Sequence, residues 1–171
     1  MELSWAPGPI ANSLFTDEEK ARITATAGMN LDQAITKVAP GWKVSKCGTE
    51  MDPGLRAEWQ GKKNVLCTHP LDRDTGCVLS KDVNVPAGRK TTLRIVVGHD
   101  PQGDFDLIVK ADGKVLLRKP VSASTATAHW LTENIDLSPY AGKSVKLELV
   151  NQPTGWSYEA AYWAEIALVT E

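Results

Sequence analysis

The sequence predicts an all-β protein, a β-sandwich or jelly roll entered through a short helical arm. Beyond about residue 41 the apolar residues recur with period two, in segments separated by turn chemistry. Within the first 40 residues they recur with helical spacing instead. No helical pattern separates the later strands, which argues against a β-α-β chain with a parallel sheet. At 171 residues the chain suits one domain with a sizeable core. The expected division is an arm over 1–40 and a sandwich module over 41–171.

The arm contains two capping boxes. Thr16-Asp17-Glu18-Glu19 places an N-cap hydroxyl three residues before a glutamate, and a short helix is expected from there to about Ala27, stopped by Gly28. Asn30-Leu31-Asp32-Gln33 repeats the pattern. Leu31, Ala34, Ile35 and Val38 then form one apolar face, which favours packing on the sandwich, and Pro40-Gly41 ends the helix.

The sandwich reads as about eight strands. Leu93, Ile95 and Val97 alternate with Arg94 and Val96, and Phe105, Leu107 and Val109 with Asp106 and Ile108. Val115 and Leu117 follow, then Val145, Leu147 and Leu149, then Ile166 and Leu168. Asp112-Gly113 between two such runs is a two-residue hairpin signal, because a type I′ turn needs positive φ at both positions. Pro86-Ala87-Gly88, Asp100-Pro101-Gln102-Gly103 and Gln152-Pro153-Thr154-Gly155 mark further turns, and Ser138-Pro139-Tyr140-Ala141-Gly142 one turn of helix.

Charge and motifs narrow the function classes. A formal net charge of −2 with no basic run argues against a nucleic-acid partner, which demands clustered cations against phosphate. No apolar run approaches the roughly 20 residues of a membrane span, so membrane insertion is not expected. The first nine residues lack the basic and apolar regions of a signal peptide, so an exported protein with this sequence would have lost its signal upstream. No GxSxG elbow, HExxH, P-loop or GxGxxG after a strand occurs. Glu159 and Glu165 show no flanking pattern that points to a glycosidase pair.

Three cysteines, Cys47, Cys67 and Cys77, fit no zinc spacing. Cys67 and Cys77 are closest in sequence, and a bridge between them would pin the loop they enclose. The odd count leaves one thiol over, or pairs Cys47 with either partner, and three buried thiols are the alternative.

The order Trp130-Leu131-Thr132-Glu133-Asn134-Ile135-Asp136-Leu137-Ser138-Pro139-Tyr140-Ala141-Gly142-Lys143, a strand, and then Tyr162-Trp163-Ala164-Glu165-Ile166 resembles galactose-binding-like jelly rolls. These include sugar-binding modules attached to bacterial glycoside hydrolases. Residues 41–169 also resemble a module of exported proteins from planctomycete-type bacteria, where it accompanies larger enzymes or cytochrome domains. The resemblance implies a non-catalytic, secreted or periplasmic module without a catalytic cofactor. Its partner would be a glycan or a neighbouring protein domain. A structural or protein-interaction module without small ligand is the alternative, and a small glycan hydrolase or lyase a third. Many such modules hold a structural calcium in an early Asp- and Gly-rich loop, and no clean version of that loop occurs here.

The expected ligand residues follow from side-chain chemistry. Thr68-His69-Pro70-Leu71-Asp72-Arg73-Asp74-Thr75-Gly76 is a polar loop between strands. His69, Asp72 and Arg73 offer donors and acceptors for sugar hydroxyls. Asp72 and Asp74 could alternatively give oxygens to calcium. Six tryptophans supply apolar platforms for pyranose C–H faces. Trp156, after Gly155, and Trp59, before Gln60-Gly61, sit at turns and are the expected stacking residues. Trp42, Trp130 and Trp163 are expected in the core, and Trp5 in the arm.

Overall fold

The structure, a computed structural model, describes residues 31–171. The helix expected over 16–27, Trp5 and Asn30 of the second box lie outside the described residues. A helix over 31–38 turns through Gly41, at φ +90°, into the first strand. Leu31, Ile35 and Ala39 are buried in the same core as the strands, and Ala34 and Val38 pack against it. The apolar face read from the sequence is a packed face.

Ten strands follow, where about eight are expected. They are β1 (Lys43–Ser45), β2 (Gly54–Trp59), β3 (Lys62–Thr68), β4 (Cys77–Asn84), β5 (Thr91–His99), β6 (Phe105–Ala111), β7 (Lys114–Val121), β8 (Trp130–Asp136), β9 (Ser144–Gln152) and β10 (Ala161–Thr170). They form two antiparallel sheets ordered β1-β4-β9-β6-β7 and β2-β3-β10-β5-β8. The chain passes from one sheet to the other at every connection except β2 to β3 and β6 to β7, which is the jelly-roll way of closing a sandwich.

Period two explains the layers. Leu93, Ile95 and Val97 of β5 face Leu107 and Val109 of β6 and Val145, Leu147 and Leu149 of β9 across one core, filled by Trp163 and Phe105. Asp112 and Gly113 join β6 to β7 at φ +49° and +83°, as the type I′ turn requires. Ser138–Tyr140 forms a short 3₁₀ turn ended by Gly142 at φ +79°. Trp42 and Trp163 are core residues as expected. Trp130 is not: it lies half-buried on the outer face of the β2-β3-β10-β5-β8 sheet.

Candidate functional site

The strand ends Thr68, Cys77, His99 and Gln152 meet at one end of the sandwich, and the loops beyond them build a cleft there. One wall is held by a disulfide. Cys77 bonds to Cys47, with Cα atoms 4.2 Å apart, and not to Cys67. The reason is pleat parity. Leu66 points into the core, so Cys67 points out of the β2-β3-β10-β5-β8 sheet, beside Tyr162. Cys77 lies in the core of the opposite sheet, one strand from β1. Cys67 is therefore a free, buried thiol, pushed up to about 11 by removal from water.

The bridge fastens the segment after β1 to the loop after β3. Cys47 pairs with Pro70 as an isolated β-bridge, and the Gly48 N–H donates to the His69 carbonyl at 2.9 Å. A Cβ on Gly48 would run into the Pro70 carbonyl oxygen, so only glycine permits this approach.

Between these walls and the loop after β9 lies a cleft of about 550 Å³, lined by Thr49, Glu50, Met51, His69, Trp156, Ser157 and Tyr158. His69 is 3% exposed, and its Nδ1–H donates to the Pro70 carbonyl at 2.9 Å. The Trp156 indole abuts it edge-on and remains partly exposed, while Tyr158 is 45% exposed. Polar hydroxyls and a carboxylate thus alternate with aromatic rings along the cleft.

The 152–159 loop is positioned from below by a buried polar chain. Trp163 Nε1–H donates to Thr68 Oγ1 (3.0 Å), Thr68 Oγ1 donates to Asn151 Oδ1 (3.0 Å), and Asn151 Nδ2 donates to the Glu159 carbonyl (3.0 Å). The Glu159 carboxylate, 2% exposed, accepts the Thr154 N–H at 2.6 Å, and the Thr154 hydroxyl donates to Asp104 Oδ1. From the side, Gly103 lies against the Ser157–Tyr158 backbone. Glu159 is thus structural, and Glu165 pairs with Arg94 at 3.0 Å, so these two carboxylates serve different surroundings.

Of the sequence-predicted site residues, the structure brings His69 and Trp156 together. Asp72, Arg73 and Asp74 are exposed on the adjoining turn and do not line the cleft. Asp72 Oδ1 accepts the N–H groups of Asp74 (2.9 Å) and Thr75 (2.8 Å), and these bonds hold its carboxyl below the usual carboxylate range. Its role there is to close the turn. Among the described residues no group of three or more His, Cys, Asp or Glu converges as a metal site, so no third carboxylate joins Asp72 and Asp74.

Trp59 stands on a different surface. It stacks flat on Tyr162, with ring centroids 4.0 Å apart and planes at 4°, over an outer cluster of Val65, Cys67 and Ala160. Trp130 completes the cluster: its Nε1–H donates to the Gln60 carbonyl at 3.0 Å, and Lys62 Nζ lies 5.5 Å from its ring centre. Sequence reasoning missed Tyr162. The signal was present, because a strand that turns Trp163 inward turns Tyr162 outward.

No family model matches the sequence, and no curated protein matches it. Solved structures do. The CBM22-1 xylan-binding domain of Paenibacillus barcinonensis Xyn10C is 15% identical with a TM-score of 0.50, over 78% of this chain and 87% of that one. The tandem CBM22-1-CBM22-2 structure of the same enzyme gives 15% and 0.50, over 78% of this chain and 42% of that one. The K3 adhesin domain of the Porphyromonas gingivalis Lys-gingipain is 11% identical with a TM-score of 0.49, over 77% and 93%. The fold, two five-stranded antiparallel sheets stacked as a β-sandwich, is shared with the xylan-binding domain.

Proposed function

We propose that the protein is a non-catalytic carbohydrate-binding module that takes a glycan in the cleft between the Cys47–Met51 segment, His69 and the Trp156–Tyr158 loop. The observation that carries this reading is the lining itself. Trp156 and Tyr158 offer partly exposed rings to a sugar's C–H face, while Thr49, Ser157 and Glu50 offer hydrogen-bond partners to its hydroxyl edge. The cleft is rigid on all sides, because the disulfide, the Gly48 and Gly103 contacts and the Glu159 network fix its three loops. A preformed site avoids the cost of ordering loops around a ligand whose hydroxyls gain only about 0.5–1.5 kcal/mol each on leaving water.

The role of Asp72 and Arg73 becomes that of a rim reached only by a longer oligosaccharide. Residence in an oxidising compartment, outside the cytosol, is supported by the disulfide. No helix among the described residues is long and apolar enough to cross a membrane. A free apolar face of Leu31, Ile35 and Val38 would favour the scaffold alternative, but Leu31 and Ile35 are buried and Val38 packs against the core.

The test is calorimetric titration of the protein with neutral oligosaccharides, xylan-derived chains first and galactan- and glucan-derived chains beside them. One class should bind, with affinity reduced about tenfold or more by Trp156→Ala and by Tyr158→Ala. Absence of glycan binding, or binding untouched by both substitutions, overturns the reading.

A further inference from the structure

At the opposite end of β4 from the disulfide, a pocket of about 340 Å³ is lined by Gly41, Lys43, Ser80, Lys81, Asp82 and Lys146. Its three lysines come from three adjacent strands. β1 and β9 both pair with β4, with Lys43 opposite Ser80 and Lys146 opposite Asp82. With two strand spacings between them and a two-residue offset, the backbones carrying Lys43 and Lys146 are about 12 Å apart. Lys81 enters past Gly41, where a Cβ would stand 3.1 Å from Lys81 Cε and 3.2 Å from Nζ. Gly41, held at φ +90°, thus lies against the tip of the Lys81 side chain.

Among the described residues the ion pairs lie elsewhere, at Arg94–Glu165, Arg118–Asp106 and Lys119–Glu133, and none of the three pocket lysines takes part in one. Three lysines and one aspartate line the pocket, with Glu148 just beyond it opposite Ser80, in a chain whose formal net charge is −2. That is a local excess of positive charge on a protein that is acidic overall, and it is gathered around a concavity.

We propose that this pocket is a second ligand site, for an anionic sugar carrying a carboxylate or sulfate ester. The ammoniums neutralise the anion. Asp82 and Ser80 decide the class: the carboxylate accepts and the hydroxyl gives or accepts hydrogen bonds with sugar hydroxyls, and these offset the carboxylate's repulsion of the anion, which a DNA phosphodiester backbone without free hydroxyls cannot do. The site is independent of the end cleft, which lies at the other end of β4 and shares none of its lining residues. Because Lys43 and Lys146 are exposed, the attraction is modest and salt-sensitive.

The experiment is a titration of the full chain at low salt, followed by backbone amide shifts. The probes are galacturonic-acid oligosaccharide, sulfated galactan, neutral galactan and single-stranded DNA. Uronate or sulfated galactan should move the amides of residues 41–43, 80–82 and 146, and whichever does names the anion. The combined Lys43→Ala, Lys81→Ala and Lys146→Ala variant should lose about tenfold in affinity while keeping its fold by circular dichroism, and high salt should weaken binding similarly. Trp156→Ala, which strips the end cleft, should leave these shifts in place. Equal binding of neutral galactan or of DNA, no shifts at the pocket, or affinity unchanged in the lysine variant would each overturn the proposal.

Discussion

The indole of Trp156 stands edge-on to the imidazole of His69, with ring centroids 5.0 Å apart and planes at 84°. The two rings have different tasks. His69 is buried and spends its Nδ1–H on Pro70, so it is a buttress; Trp156 is the partner left facing the cleft. Trp156→Ala should therefore weaken glycan binding about tenfold or more at a stability cost of about 1 kcal/mol or less, because the side chain is only partly buried. His69→Ala should cost about 1–3 kcal/mol of stability and weaken binding through the displaced loop. Urea unfolding paired with calorimetric titration separates the two. Loss of binding in His69→Ala at full stability would show the imidazole to be a direct ligand.

The Cys47–Cys77 bridge joins residues separated by 30 in sequence. A loop of that size gives a chain-entropy stabilisation of about 3–4 kcal/mol. Cys47→Ser with Cys77→Ser should lower stability by that order. Because the bridge seats the Thr49–Met51 wall, the variant should also bind glycan more weakly than its residual folded fraction explains. Reduction of the wild type should give the same pair of effects. A reduced protein with undiminished affinity would separate the bridge from the site.

At Gly103 a side chain would collide with the Tyr158 carbonyl oxygen and Cβ. The 100–103 turn and the Tyr158 loop then cannot keep their approach. Gly103→Ala should destabilise by about 1–3 kcal/mol and reduce glycan binding more than Arg73→Ala does on the exposed rim. An amide-shift map should place the perturbation at 155–159. A variant with wild-type affinity would mean the cleft tolerates a moved loop.

These contacts show where sequence reasoning stops. The long central strands β5, β6 and β9 were legible because each alternates strictly and both flanks carry turn residues, and Asp112-Gly113 marked its hairpin outright. Trp156 and His69 could be nominated from their loop neighbourhoods, but nothing in the linear order brings Thr49–Met51 to them; a β-bridge at Pro70 and a disulfide do. Nearness in sequence favours Cys67–Cys77 and leaves Cys47 with either partner open; pleat parity, which puts Cys67 and Leu66 on opposite faces, is what leaves Cys77 to Cys47. Trp130 was expected inside because it begins a strand, yet its alternation with Leu131, a core residue, puts it outside.

Ile35 is fully buried against the sandwich, together with Leu31 and Ala39. Truncating it leaves a cavity between helix and sheets that the two rigid layers fill poorly. Ile35→Ala should cost about 2–5 kcal/mol. Lys37→Ala, exposed on the other face of the same helix, should change stability by less than about 0.5 kcal/mol. Chemical denaturation of the two variants reads the contrast. Equal, small effects would mean that the helix rests on the sandwich without sharing its core.

The buried thiol gives the protein an alkaline signature. Burial raises Cys67 to about 11, against an ordinary value of 9.0, and raises the neighbouring Tyr162 hydroxyl above its ordinary range by the same cause. Between those two values the unfolded chain has released a proton that the folded chain still holds, so unfolding gains free energy as pH rises. The stability contribution is intact below about pH 9 and declines toward pH 11, by about 2–3 kcal/mol for a two-unit difference. Cys67→Ala removes the thiol's share, leaving Tyr162 to act only at the upper end. Urea unfolding across this window should therefore show a steeper decline in wild type than in Cys67→Ala, and the wild-type thiol should resist alkylation at neutral pH until the protein unfolds. Parallel stability curves, or rapid alkylation of the native protein, would place Cys67 in water and remove it from beneath Trp59 and Tyr162.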